Sequence, residues 1–255
     1  MVTTEQIKEL RDATGISIMQ CRKALEDTNG DMEKATIILR KKGADIASKK
    51  ADRSLNAGRI AAYVYSSGQA GAILELSCET DFVSKNAEFV AFAQSIADAA
   101  VANNVKSAEE LNEVSVNGTK VSDMINDKLA SIGEKIAVAK FERVDAAFVS
   151  SYIHGAYRMG VLVGLTSEAA EVGKDLAMQI AAMNPVAVDP ESVPAETVVR
   201  ERAIIIDTMK EDPKMAGKPD EMIAKIAEGK INAFFKEQTL LAQAFVKDGS
   251  KTVGD

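Results

Sequence analysis

Two stretches of the chain share one pattern: YVYSSGQAGAILELS at 63–77 and YIHGAYRMGVLVGLT at 152–166. They align without a gap at a constant offset of 89, with Tyr63 on Tyr152, Gly71 on Gly160 and Leu76 on Leu165. Apolar residues fall opposite each other in between. The first copy has β-rich runs at Tyr63–Tyr65 and Gly71–Ser77 around the loop SSGQAG, which predicts an antiparallel hairpin. A helix should follow each copy. Phe92–Ala99 aligns with Leu176–Met183, but at an offset of 84, so the first copy carries five extra residues within CETDFVSKNAE, 78–88. The parallel periodicity reads as an internal duplication.

Outward from the first copy, a helix is expected from about Ala87 to Asn103, capped by Asn86, with Phe89, Ala93, Ile96 and Ala100 on one face. VSVNGTKV (114–121) is the strongest short hairpin signal, because Asn-Gly suits a type I′ turn. A helix bearing Ile125, Leu129 and Ile132 then leads to the strand-like KIAVAKFERV, 135–144. The second copy is interrupted by two helical stripes, Ala195, Val198, Ile205, Met209 and Ile223, Ala227, Ile231, Phe234. They are separated by KEDPKMAGKPD (210–220), whose prolines and glycine disfavour a continuous helix. This predicts an inserted antiparallel helical hairpin, after which LAQAFV (241–246) resumes as a strand. GSKTVGD (249–255) resembles the start of GTKVSDMI (118–125), and the sequence stops before the closing helix and strand of a second copy. The expectation is a shortened second half with an open β edge.

Residues 1–43 read as three short helices. Thr3 with Gln6 and Ser17 with Gln20 fit capping boxes, and Asp31 fits an N-cap. Gly15, Gly30 and Gly43 stand where left-handed C-terminal caps are wanted. Ile7 and Leu10, then Ile18, Cys21 and Leu25, then Ala35, Ile38 and Leu39 form the expected inner faces. Residues 40–53, RKKGADIASKKADR, carry six basic and two acidic residues and read as a helix end followed by an exposed linker. The predicted fold class is α+β. It comprises a three-helix domain with its linker (1–54), a first core subdomain (55–147), a shortened second one (148–188 and 236–255) and a helical hairpin (189–235).

Composition excludes much chemistry. The 255 residues have a formal charge of −7, one histidine, two cysteines and no tryptophan. The acidic balance argues against a polyanion as main partner, so no direct nucleic-acid binding is expected. No apolar run approaches the roughly 20 residues of a membrane span. The start MVTTEQIKEL lacks a signal-peptide pattern, so a cytoplasmic protein is expected. There is no P-loop and no dinucleotide fingerprint. His154 lacks a local orienting acid or nucleophile and reads first as a strand-edge residue. Cys21 reads as core, and Cys78 as an unactivated strand-end thiol. No catalytic residue, metal or cofactor is expected.

ETDFVSKN (79–86) remains. It places an acid beside a bulky aromatic on a strand-to-helix connection, inside the extra segment that distinguishes the copies. On one reading Thr80 or Asp81 caps a turn, and Phe82 or Val83 staples onto the next helix. On the other, Phe82 is a presented wedge on a loop held by rigid elements.

CETDFVSKN resembles the signature of the bacterial elongation factor Ts family. LRDATGISIMQCRKALEDTNGDMEKA (10–35), SSYIHGAYRMGVLVGL (150–165) and KDGSKTVGD (247–255) resemble other parts of that family, in order along nearly the whole chain. The resemblance implies a non-enzymatic guanine-nucleotide exchange factor for elongation factor Tu. It also implies a ubiquitin-associated-like three-helix domain, two related α+β core subdomains and a helical hairpin that dimerises. Residue by residue, it implies that Asp81 and Phe82 enter the GTPase near its Mg²⁺ site and that Thr80 and Val83 complete that motif. Arg11, Ile18, Met19 and Arg22 would dock on the nucleotide-binding domain, with His154 at the core interface. A non-exchange adaptor that binds partners through the three-helix domain is the alternative.

Overall fold

The computed structural model describes residues 2–212, 215 and 218–255. The chain forms two compact units, Met1–Gly173 and Lys174–Asp255.

The first unit begins with helices α1 (Thr4–Thr14), α2 (Ile18–Asp27) and α3 (Met32–Lys49). The Thr3–Gln6 capping box forms in full, and Gly15, at φ 67°, closes α1. Ser17 accepts from Gln20 N–H, and Asp31 accepts from Lys34 N–H. Gly30, at φ 87°, donates back to Leu25 O and closes the end of α2. Leu10, Ile16, Cys21, Ala24, Leu25, Ala35 and Leu39 make one small core. Three expectations fail here. Ile38, expected on the inner face of α3, is 37% exposed, while Ala35 and Leu39 fill the core. Ile18 is 55% exposed, because Ile16, in the connection before the helix, fills the inner position instead. Gly43 does not end α3, which runs on to Lys49 through most of the expected linker. A Cβ at Gly43 would lie 3.2 Å from Ala130 Cβ. That glycine lets α3 approach another helix, α7 (Val121–Ile132), and the added packing keeps the basic segment helical.

Strands β1 (Ala57–Val64), β2 (Ala70–Cys78) and β5 (Ile136–Asp145) form an antiparallel sheet in the order β1-β2-β5. Between β2 and β5 lie the one-turn helix α4 (Asp81–Ser84), then α5 (Ala87–Ala102) and α6 (Ala108–Glu113). A tiny hairpin of β3 (Ser115–Val116) and β4 (Thr119–Lys120) follows, and then α7. Asn117 and Gly118 both take positive φ, as the Asn-Gly turn requires. Leu74 and Leu76 on one sheet face meet Phe89, Ile96 and Ala100 of α5 and Ile125 of α7 in the main core.

The other sheet face meets the second hairpin, β6 (Phe148–His154) and β7 (Met159–Leu165), and here the duplication becomes physical. Tyr63 pairs with Ala72 in the first hairpin, and Tyr152 with Val161 in the second, so the register is the same at the offset of 89. The two hairpins also touch reciprocally. Ile60 N–H donates to Tyr157 O at 2.8 Å, and its counterpart Val149 N–H donates to Gly68 O at 2.6 Å. A Cβ on Gly71 would meet Val149 and Leu162; one on Gly160 would meet Ile60 and Ile73, the matching pair. The copies therefore pack about a local pseudo-twofold axis. Tyr157, at φ 67°, adopts the left-handed backbone of its counterpart Gly68, at φ 71°, to make the same bond.

The second unit begins within helix α8 (Ala170–Met183) and contains α9 (Ala195–Glu211), α10 (Asp220–Gln238), β8 (Ala244–Phe245) and β9 (Asp248–Thr252). Helices α9 and α10 are antiparallel: Met209 packs on Ile223 and Ala227, while Arg202 pairs with Glu228. The turn expected at Pro213 and Gly217 lies outside the described residues. LAQAFV is not one strand. Leu240–Ala242 is a 3₁₀ turn, and only Ala244–Phe245 pairs. The reason is a buried amide pair. Gln179 donates to Gln243 Oε1 (3.2 Å) and Ala244 O (3.1 Å) and accepts from Val246 N–H (2.8 Å), so side chains occupy backbone groups a longer strand would use. Gln179→Leu should therefore destabilise this unit by about 1–3 kcal/mol, because it strands Val246 N–H and part of Gln243. Chemical denaturation would check this.

Candidate functional site

The extra segment of the first copy leaves β2 at Cys78 and turns immediately into α4. Four residues are too few for a self-supporting helix, so its geometry depends on side chains from elsewhere. Thr80 stands at the N-cap position but makes no cap. Its hydroxyl donates to Glu134 Oε1 at 2.6 Å, and its N–H to Glu134 Oε2 at 3.0 Å. In return Glu79 accepts Lys135 N–H at 2.6 Å and pairs with Arg53 at 3.0 Å. At the far end, the buried Arg59 donates Nε–H to Ser84 O and reaches Ala156 O at 2.7 Å. Val83 packs against the main core. Phe82 turns away, and is 91% exposed.

Asp81 beside it is also exposed. Its carboxylate meets Lys85 Nζ at 3.0 Å and Arg158 of the second hairpin at 3.5 Å. The hydrogen bond and charge of Lys85, with the more distant charge of Arg158, hold it below the usual carboxylate range. An ionised carboxylate and an unpacked aromatic ring thus project from a turn fixed at both ends. A cavity of about 340 Å³ lies beside them, lined in part by Gly58, Glu75, Asp81, Tyr157 and Arg158.

The motif therefore divides. Thr80 and Val83 face inward and hold the turn; Asp81 and Phe82 are presented. The stapling expected of Phe82 or Val83 is made by Val83 only. Burying Phe82 costs no folding contact that is visible here, and leaving such a ring in water is unfavourable.

Among the residues suggested for docking, Arg11, Ile18, Met19 and Arg22 are all exposed. Arg11 is in the last turn of α1; Ile18 and Met19 open α2, with Arg22 one turn on, paired to Glu26 at 3.4 Å. Met19 is 82% exposed and borders a groove of about 430 Å³ with Ala24, Ile38 and Leu39. His154 ends β6, exposed, with Nδ1 2.9 Å from the Tyr152 hydroxyl. Its carbonyl accepts from Arg158 N–H at 3.2 Å, so the turn after His154 carries the arginine that meets Asp81.

Cys21 and Cys78 are buried free thiols. Burial and the nearby Glu134 push the Cys78 thiol up to about 11, which leaves it unreactive. Among the described residues no three acidic, histidine or cysteine side chains gather as metal ligands, and no helix is long and apolar enough to cross a membrane.

Reading the sequence missed Glu134, Arg59 and Arg158. Each lies far along the chain from the turn it serves, so no local pattern marks it.

Known proteins agree with this architecture. Residues 79–255 match the family model described as elongation factor TS, and residues 1–37 match a UBA-like domain. Elongation factor Ts of Christiangramia forsetii is 41% identical over the whole chain, which covers 92% of that protein. Elongation factor Ts of Methylococcus capsulatus is 43% identical, over 99% of this chain and 86% of its own length. That of Clostridium perfringens is 42% identical, over 99% of this chain and 85% of its own length. A UBA-like start, an antiparallel α+β core and near full-length similarity together identify the chain as a member of the elongation factor Ts family, a family of translation elongation factors.

Proposed function

We propose that the chain is a guanine-nucleotide exchange factor that releases GDP from elongation factor Tu in the cytoplasm by inserting Asp81 and Phe82 near its Mg²⁺ and phosphate site. The observation that carries this reading is a 91% exposed Phe82 on a turn braced from both ends. Arg11, Ile18, Met19 and Arg22 form one docking face, and His154 with the second hairpin another. Thr80 and Val83 support the inserted pair. Residues 1–54, 55–147, 148–188 with 236–255, and 189–235 act as its modules, the last as a homodimer contact.

The mechanism requires no bond chemistry. A GTPase holding GDP at nanomolar affinity does so with about 12 kcal/mol. Accelerating release on the order of 10⁴-fold removes about 5.5 kcal/mol from the barrier. Burying one Phe supplies only about 1.5–3 kcal/mol. The remainder must come from disturbed Mg²⁺ and phosphate contacts, where the charge of Asp81 acts, while docking elsewhere holds the pair in place. By linkage, a factor that weakens GDP binding is itself displaced by nucleotide.

The test is GDP dissociation from GDP-loaded elongation factor Tu titrated with the chain. The rate should rise to a plateau. Binding without faster release would sink the exchange reading and favour the adaptor alternative, for which the apolar groove beside Met19 is the supporting observation. Replacing Ile18 and Met19 together by Ser should raise the half-saturating concentration about tenfold or more and leave the plateau nearly unchanged, because exposed docking residues contribute uniform binding.

A further inference from the structure

We infer that Glu134 is a positioning residue for Phe82: by accepting the Thr80 N–H and hydroxyl together, its carboxylate sets the turn on which Phe82 is presented. The inference rests on the exchange reading above and names a residue that acts on it from a distance.

Phe82 is 91% exposed, so its own packing cannot fix its direction. The direction must come from the backbone of α4. That helix is a single turn, and Thr80 does not cap it. Thr80 is instead held by both oxygens of Glu134, at 2.6 Å and 3.0 Å. Hydrogen bonds to an ionised group are short and directional, and two on one carboxylate fix orientation as well as distance.

Glu134 is itself well placed to impose geometry. Gly133, at φ 84°, ends α7 in the left-handed conformation and turns the chain toward β5. Lys135, the next residue, donates its N–H to Glu79, the residue before Thr80. Residues 79–80 and 134–135 therefore clasp each other reciprocally, one pair before Cys78↔Ile136 begins the β2–β5 ladder. The clasp joins the start of the presented turn to a strand of the main sheet. Removing the Glu134 carboxylate would leave Phe82 present and exposed but let its turn swing. The loss should then fall on the step in which Phe82 enters the partner, and not on docking elsewhere.

The experiment measures GDP release from elongation factor Tu, separating the plateau rate from the half-saturating concentration. Glu134→Ala should lower the plateau about tenfold or more while shifting half-saturation less than about threefold. Glu134→Gln keeps one acceptor oxygen and should recover part of the loss. Thr80→Val removes only the hydroxyl bond to Glu134 and leaves the Thr80 N–H bond, so it should lower the plateau less than Glu134→Ala, and adding it to Glu134→Ala should lower the plateau no further, because the hydroxyl's partner is already gone. An unchanged plateau for Glu134→Ala, or additive losses in the double variant, would overturn the inference. If Glu134→Ala melts early, Thr80→Val and Glu134→Gln decide the matter alone: loss with Thr80→Val and partial loss with Glu134→Gln support it, and wild-type plateaus in both overturn it. Phe82→Ala serves as the control. If it is slow while Glu134→Ala is normal, only this inference falls; if Phe82→Ala itself is normal, the exchange site falls as well.

Discussion

A Phe82→Ala chain is expected to drive GDP release from the proposed GTPase about 10–150-fold more slowly than the unaltered chain at saturation, because the ring's burial is worth about 1.5–3 kcal/mol and each 1.36 kcal/mol is tenfold in rate. Its melting temperature should not change. Phe82 is 91% exposed and belongs to none of the buried clusters, so folding gains little from it. A residue whose removal leaves stability intact and abolishes most of an activity is a contact residue. If Phe82→Ala instead lowered the melting temperature by several degrees, the ring would be packed in solution and the turn would not present it. Stopped-flow nucleotide release and thermal unfolding on the same preparation separate these outcomes.

Gly160→Val should destabilise the first unit by about 3 kcal/mol or more, beyond the usual cost of overpacking. A Cβ at Gly160 would lie 2.5 Å from Ile60 Cγ2 and 2.6 Å from Ile73 Cδ1. Ile73 can swing its terminal methyl, but Ile60 cannot: Cγ2 sits on a β-branched carbon of an extended strand. The two hairpins must then separate, and with them the Ile60–Tyr157 hydrogen bond and the approach of Arg158 to Asp81. The loss should therefore appear in exchange as well as in stability, even though Gly160 lies outside the presented turn. Urea denaturation measures the first effect, and the plateau rate the second. Gly71→Val should behave similarly in stability, since it faces the matching residues Val149 and Leu162.

The duplication was legible because it is written in a period the eye can count. An unbroken offset of 89 is also the register of both hairpins, the equivalent close packing at Gly71 and Gly160 and the exchange of hydrogen bonds across the axis. Caps were legible for the same reason: Thr3, Asp31 and Asn86 act on residues within three positions. What failed were judgements that depend on another element. Gly43 looked like a helix end because glycine is a poor helix former, but α7 needed the space. Ile18 looked buried by its spacing, but Ile16 took the inner place. LAQAFV looked like a strand, but the Gln179 side chain claims its Ala244 carbonyl and its Val246 N–H.

The candidate site divides along the same line. The acid–aromatic pair stood out as an insertion between two copies, so Asp81 and Phe82 were visible. Their supports were not. Glu134 and Arg158 lie 54 and 77 residues from their partners, and Arg59 lies 25 from Ser84. Side-chain hydrogen bonds over such separations leave no periodic trace.

On the proposed mechanism, one braced acid–aromatic pair opens the nucleotide site while other surfaces supply the docking. The most direct measurement compares GDP release at saturating chain, together with binding affinity, for the unaltered chain and for Asp81→Ala/Phe82→Ala. The plateau should be at least about 100-fold lower in the double variant, with affinity for the GTPase changed less than about tenfold. Equal plateaus at equal affinity would contradict insertion of Asp81 and Phe82 as the exchange mechanism.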